Sequence, residues 1–211
     1  VGATQALDAV ALNSSGETRL DGSMNVGSLT TNVGGTSLLN GGTITSVGAV
    51  TFNDNVTLGA DLTITTTNAN VLFGATVNSA DATARDLTVN AGSGNIRFAA
   101  TVGATQALDA VALNSSGETR LDGSMNVGSL TTNAGGTLAL NAGAITASGG
   151  ISLGEAVTLE RDVTLTGVNV TLVSTVNGAQ ALTVNGSGVT TFGGAIGADT
   201  PLASLTTDVA G

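Results

Sequence analysis

VTFNDNVTLGADLTI, residues 50–64, and ISLGEAVTLERDVTL, residues 151–165, are one stretch written twice with different fillings. Apolar positions stay apolar between the two: Val50/Ile151, Phe52/Leu153, Val56/Val157, Leu58/Leu159, Leu62/Val163 and Ile64/Leu165. The residues between them change character freely, as at Asn53/Gly154, Gly59/Glu160 and Ala60/Arg161. Each apolar pair sits at i, i+2, and side chains two apart on an extended chain point to the same side. Such pairs mark short strands with two inward side chains apiece, and the Gly, Asn and Asp between them supply corners. A helix would need apolar residues at i, i+3, i+4, and Gly and Thr interrupt every window that offers them.

Similar pairs recur at Val71/Phe73, Leu87/Val89, Ile96/Phe98, Val111/Leu113, Met125/Val127, Leu138/Leu140 and Leu182/Val184. They belong to a larger repeat. Residues 1–32, VGATQALDAVALNSSGETRLDGSMNVGSLTTN, recur without a change at 102–133, an offset of 101 residues. A weaker copy starts at Ile196, where IGADTPLASLTTDVAG (196–211) keeps the Gly, Ala, Leu and final Gly of VGATQALDAVALNSSG. The organisation expected is one continuous solenoid over 1–211, with repeats 1–101 and 102–195 and the start of a third at 196–211.

About fourteen inward faces fit one repeat, and three faces per turn give a rung of ~20–22 residues. Ten such rungs at ~4.8 Å make a rod about 45–50 Å long. The fold class expected is all-β: a parallel β-helix (β-solenoid) with about three short strands per rung. Its expected hand is right, because the strict six-residue period of left-handed hexapeptide coils breaks repeatedly here.

Composition separates this fold from its competitor, a β-sandwich, which would also show short strands between frequent turns. The chain is 41% hydrophobic, but only 2% aromatic, all of it Phe. A globular core of this size uses several large aromatics, each burying about 150–250 Å². Val, Leu, Ile and Ala instead suit a narrow lumen. Five Arg stand against 15 acids, for a net charge of −10. That balance argues against nucleic acid, whose binding needs basic residues to neutralise phosphates. It argues equally against anionic membranes. No run of 18 apolar residues marks a spanning helix, and without Tyr or Trp there are no girdles for a membrane barrel. The sequence from Val1 shows no secretory leader pattern. Neither Val1–Leu12 nor Pro201–Gly211 reads as a cap, so the ends are expected to meet other copies or to continue in a longer chain.

The inventory leaves little chemistry. With no His, Cys or Lys, nucleophile–His sites, ordinary zinc sites and Schiff bases are excluded. The expectation is no enzyme, and no catalytic, cofactor-binding or metal residues. Glu160-Arg161-Asp162 is the densest charge cluster, and Glu17/Arg19/Asp21 and Glu118/Arg120/Asp122 are same-face triplets at strand spacing. They read as a solvated outer face with cross-pairing of ~0–1 kcal/mol per pair. Calcium is the one cofactor left open: Asn53, Asp54, Asn55, Asp61, Asp81 and Asp208 offer corner oxygens. The GGxGxDx calcium loop is absent, and isolated corner acids read as turn caps. Asn32, Asn40, Asn68, Asn78, Asn90, Asn114, Asn133 and Asn177 lie near strand ends, where stacked amides would form ladders. The pairs Thr43/Thr45, Thr63/Thr65 and Thr164/Thr166 are too few for an ice-binding array, which needs one per rung.

VTFNDNVTLGADLTITTTNANVLFGATVN (50–78) and TTFGGAIGADTPLASLTTDVAG (190–211) resemble the repeat regions of very large bacterial surface proteins, the filamentous-haemagglutinin-like and autotransporter-like adhesins. The resemblance lies in Val, Thr and Leu alternating with Gly-Ala corners, and it covers essentially the whole chain. It implies a right-handed β-helix, secretion to the cell surface or beyond, and a role as stalk, fibre or adhesin. It carries over no functional residue. Partners expected on this reading are further copies end to end, or a surface or glycan on the outer face; nucleic acid and membrane insertion are not expected.

Overall fold

A computed structural model describes residues 1–208. They contain twenty-five strands between Leu7 and Thr207 and no helix, and every recorded strand pairing is parallel. The chain winds as a β-solenoid of about ten turns. Away from the ends, strands hydrogen-bond to the strand one turn below and, in most cases, the strand one turn above, so backbone groups are satisfied between turns rather than between neighbours in sequence.

Three faces run the length of the coil. The first climbs through Met24, Ile44, Ile64, Val89, Leu113, Thr132, Leu153 and Leu172 to Phe192. On the second, Val10 stacks under Leu29, then Val50, Val71, Ile96, Thr119, Leu138, Val157, Val176 and Ile196. The third joins Thr18, Ser37, Val56 and Val77, crosses Val102 as an isolated bridge, and continues through Met125, Ile145, Leu165 and Val184 to Thr207.

The identical segments do not share a face. Met24 lies on the first face and Met125 on the third; Leu29 lies on the second and Leu130 on the first. Fourteen faces separate a residue from its copy, and fourteen is two-thirds of a turn more than four full turns. One repeat is therefore rotated against the next by one face.

The expected apolar pairs form the core. Val56 is 1% exposed and Leu58 is fully buried. Val71/Phe73, Leu87/Val89, Ile96/Phe98, Val111/Leu113, Met125/Val127, Leu138/Leu140 and Leu182/Val184 are all buried. Phe52, Phe73 and Phe98 occupy successive turns of the second face and stack, with ring centroids 5.5 and 4.6 Å apart. Burial depends on the neighbouring turn rather than on sequence alone. Leu7 is 46% exposed, whereas its copy Leu108, with a turn beneath it, is 1% exposed. Leu12 and Leu20 are likewise half-buried where Leu113 and Leu121 are buried.

Turn length varies more than the sequence suggests. Partners are 19 residues apart at Val10/Leu29 but 25 apart at Val71/Ile96. The excess lies in corners that leave the coil, chiefly 80–86 between the strands Val77–Ser79 and Leu87–Gly92. Variation falls at corners because the faces are held in register by stacked side chains, whereas a corner only has to reconnect. Other corners are packed to the limit. A Cβ on Gly123 would lie 2.2 Å from the Ala100 backbone of the turn below, whereas its copy Gly22 has nothing within 4 Å.

Candidate functional site

Among the described residues the outer surface holds an extended polar arrangement, a charged ladder on the second face and the corner that follows it. The strands Ile96–Phe98, Glu118–Leu121 and Thr137–Leu140 stack in register. Alternation turns Thr119 and Leu121 inward and leaves Glu118 and Arg120 outward. Arg97 Nε donates to Asp122 Oδ2 at 2.8 Å, and Arg120 Nε to Asp122 Oδ1 at 2.9 Å. The Arg120 guanidinium also grips Glu160 two turns above, with Nη1 donating to Oε1 at 2.7 Å and Nη2 to Oε2. Asn141 Nδ2 donates to Asp122 at 3.2 Å. Burial works to raise the Asp122 pKa, but the hydrogen bonds from Arg97 and Asn141 and the Arg120 charge outweigh it and hold the carboxyl below its ordinary value. The hydrogen bond to Glu160 raises Arg120 further above its already high value. A shallow groove beside the ladder is lined by Asn70, Leu72, Asn95, Arg97, Glu118 and Arg120.

Glu160-Arg161-Asp162 does not act as a unit: Glu160 pairs with Arg120, the Arg161 guanidinium lies beside Gly143, and Asp162 accepts from the Ala181 amide at 2.8 Å. Glu118/Arg120/Asp122 is the heart of the ladder. In the other copy the pair Arg19–Asp21 forms at 2.7 Å, exposed on both sides. Nothing in the sequence marks Arg97 as a member of this ladder. It joins Asp122 across one long turn, and only the stacking register, not sequence distance, brings them together.

Among the corner oxygens considered for calcium, Asp61 accepts from the Asp86 amide at 3.1 Å and Asp81 from the Thr83 amide at 2.8 Å. Asn55 Oδ1 accepts from Thr76 Oγ1 at 2.8 Å, and Asn53 Nδ2 donates to the Thr31 carbonyl at 2.7 Å. Among the described residues no three His, Cys, Asp or Glu side chains converge as metal ligands would. The Asn side chains mostly bond backbone of an adjacent turn. Asn32 and Asn133 accept from the Ser14 and Ser115 amides at 2.8 Å, and Asn78 and Asn177 accept from the amides of Thr105 and Asp199 at 3.0 Å. Among the described residues a side-chain ladder of these Asn forms where Asn114 donates to Asn90 at 2.9 Å and Asn90 to Thr65 at 3.4 Å.

Among the described residues two carboxylates are inside, and sequence reasoning placed neither there. Asp54 is 3% exposed; it accepts from Thr31 Oγ1 at 2.6 Å and from Ser37 Oγ at 3.1 and 3.2 Å. Its copy Glu155 is 1% exposed and accepts from Thr119 Oγ1 at 3.2 Å through Oε1, while Oε2 has no partner. Ser37, which serves Asp54, is replaced in the second copy by Leu138. The available signal was that this corner keeps an acid in both copies while its neighbours change.

Comparison with known proteins found no match: no family model fits the chain, and no curated protein or solved structure is significantly similar to it.

Proposed function

We propose that this chain is a structural rod, a stalk or fibre segment of a secreted bacterial surface or filament protein, without catalytic activity. The observation that carries this reading is the uninterrupted parallel coil. Three faces pass through both repeats, the third by way of the single bridge residue Val102, and its inner side is filled mainly by Val, Leu, Ile, Ala and Phe. A solenoid gains stability turn by turn and lengthens without redesign, which suits a spacer. Outward positions are mostly Thr, Ser, Asn and Gly, without the Trp and Tyr that dominate binding hot spots. The extracellular and bacterial placement rests on the resemblance to adhesin repeat regions, and self-association end to end is part of the same proposal.

Electron microscopy of native material containing this chain tests the reading. Slender filaments or stalks decorated by an antibody against residues 50–64 are expected. Isolated particles that bind host glycans through the outer face would overturn it in favour of an adhesin module.

A further inference from the structure

The two buried carboxylates sit at copies of one corner but are solved differently. At the Asp54 corner both oxygens are hydrogen-bonded, by Thr31 and Ser37. At the Glu155 corner the longer side chain reaches the hydroxyl of Thr119, Leu138 offers no donor, and Oε2 is enclosed without a partner. The surroundings carry no compensating charge. Thr119 faces Glu155 from the strand Glu118–Leu121 and Thr132 from Met125–Thr132, while Leu138, which stands where the first copy has Ser37, is buried in Thr137–Leu140. Glu118 and Arg120 point outward from the first of these, to the charged ladder. The corner below, 133–136, and the corner above, 173–175, contain no titratable residue. Gly136 packs against the carboxyl: a Cβ there would lie 2.7 Å from Oε1. An ion enclosed in this way has neither water nor a counter-charge, whereas a neutral acid can be accommodated.

We propose that the Glu155 corner is a proton-responsive joint of the rod, closed while the carboxyl is neutral and loosened when it ionises. Burial pushes Glu155 up to about 7, against the opposing influence of the nearby Thr119 and Thr132 hydroxyls. The sign follows from linkage. Below about 4.5, the ordinary value, the carboxyl is neutral whether the turns are closed or open. Between there and about 7 the open state ionises and the closed state does not. The closing equilibrium therefore falls by up to about tenfold per pH unit across that window, and it is flat above it. Opening is local, because the turns of a solenoid pack chiefly on their neighbours. The strands Glu118–Leu121, Thr137–Leu140 and Ala156–Leu159 are the ones affected.

The test is amide hydrogen exchange of the whole chain between pH 5 and 8, corrected for intrinsic rate, on wild type, Glu155→Gln and Asp54→Asn. Wild type is expected to lose protection at Leu138, Val157 and Leu159 as pH rises. Glu155→Gln should remove the pH dependence at those amides, and Asp54→Asn should leave it in place. Equal loss in wild type and Glu155→Gln would overturn the proposal. Should Glu155→Gln fail to fold, carbon-13 titration of the Glu155 carboxyl in wild type decides: a midpoint near 7 supports the joint, and one among the exposed carboxylates removes it.

Discussion

Val157 and Thr158 are adjacent residues with opposite fates, the first buried and the second exposed. Val157→Asp places an unpaired carboxylate in the lumen and is expected to cost more than about 3 kcal/mol. Thr158→Asp should stay within about 0.5 kcal/mol. Urea denaturation of the two variants checks the pair, and comparable costs would mean that inside and outside are misassigned. In the Phe stack, Phe73→Ala is expected to cost about 3–5 kcal/mol, because its ring lies between two others and the narrow lumen cannot collapse around the gap. At this scale the inward residues were legible in the sequence, since period-2 pairs that stay apolar between copies have one physical cause. Asp54 was not. An acid between two Asn at a corner reads as solvated, and only the third dimension shows Thr31 and Ser37 closing over it. Arg97 was hidden for a related reason: its partner Asp122 is near in register and distant in sequence.

At the scale of the strand and its corner, the repeat supplies controlled comparisons, because identical sequence meets different neighbours. Leu113 is buried between turns, whereas Leu12 is half-buried. Leu113→Ala should cost about 2–5 kcal/mol and Leu12→Ala clearly less, since the latter loses less buried surface. Gly22 and Gly123 make the same point at a corner. Gly22→Ala is expected to leave the thermal midpoint unchanged, and Gly123→Ala to lower it, because the new methyl would collide with the Ala100 backbone. If both were silent, the close stacking of the 99–101 and 122–124 corners would be wrong. The strands, their parallel stacking and the count of three per turn followed from spacing. The corner lengths did not, since nothing in 80–86 distinguishes a tight corner from one that leaves the coil.

On the scale of the whole molecule, the phase of the repeat decides what the surface presents. The copies are rotated by one face, so a feature such as Glu17/Arg19/Asp21 on the third face reappears as Glu118/Arg120/Asp122 on the second. A rod built of such repeats shows the same surface in three directions in turn, which suits a spacer better than a one-sided binding strip. The shifted carboxyls also act in different pH ranges. The hydrogen bonds that hold Asp122 below its ordinary value stabilise the fold above about pH 4 and are lost as pH falls further. Glu155 acts with the opposite sign between about 4.5 and 7. Parallel strands stack turn on turn around one largely aliphatic lumen, and the four Phe report that stacking most directly. A nuclear Overhauser spectrum of a Phe-labelled sample should show ring contacts between Phe52 and Phe73 and between Phe73 and Phe98, and none from Phe192 to any of them. A direct contact between Phe52 and Phe98, or no contact of either with Phe73, would contradict the coil.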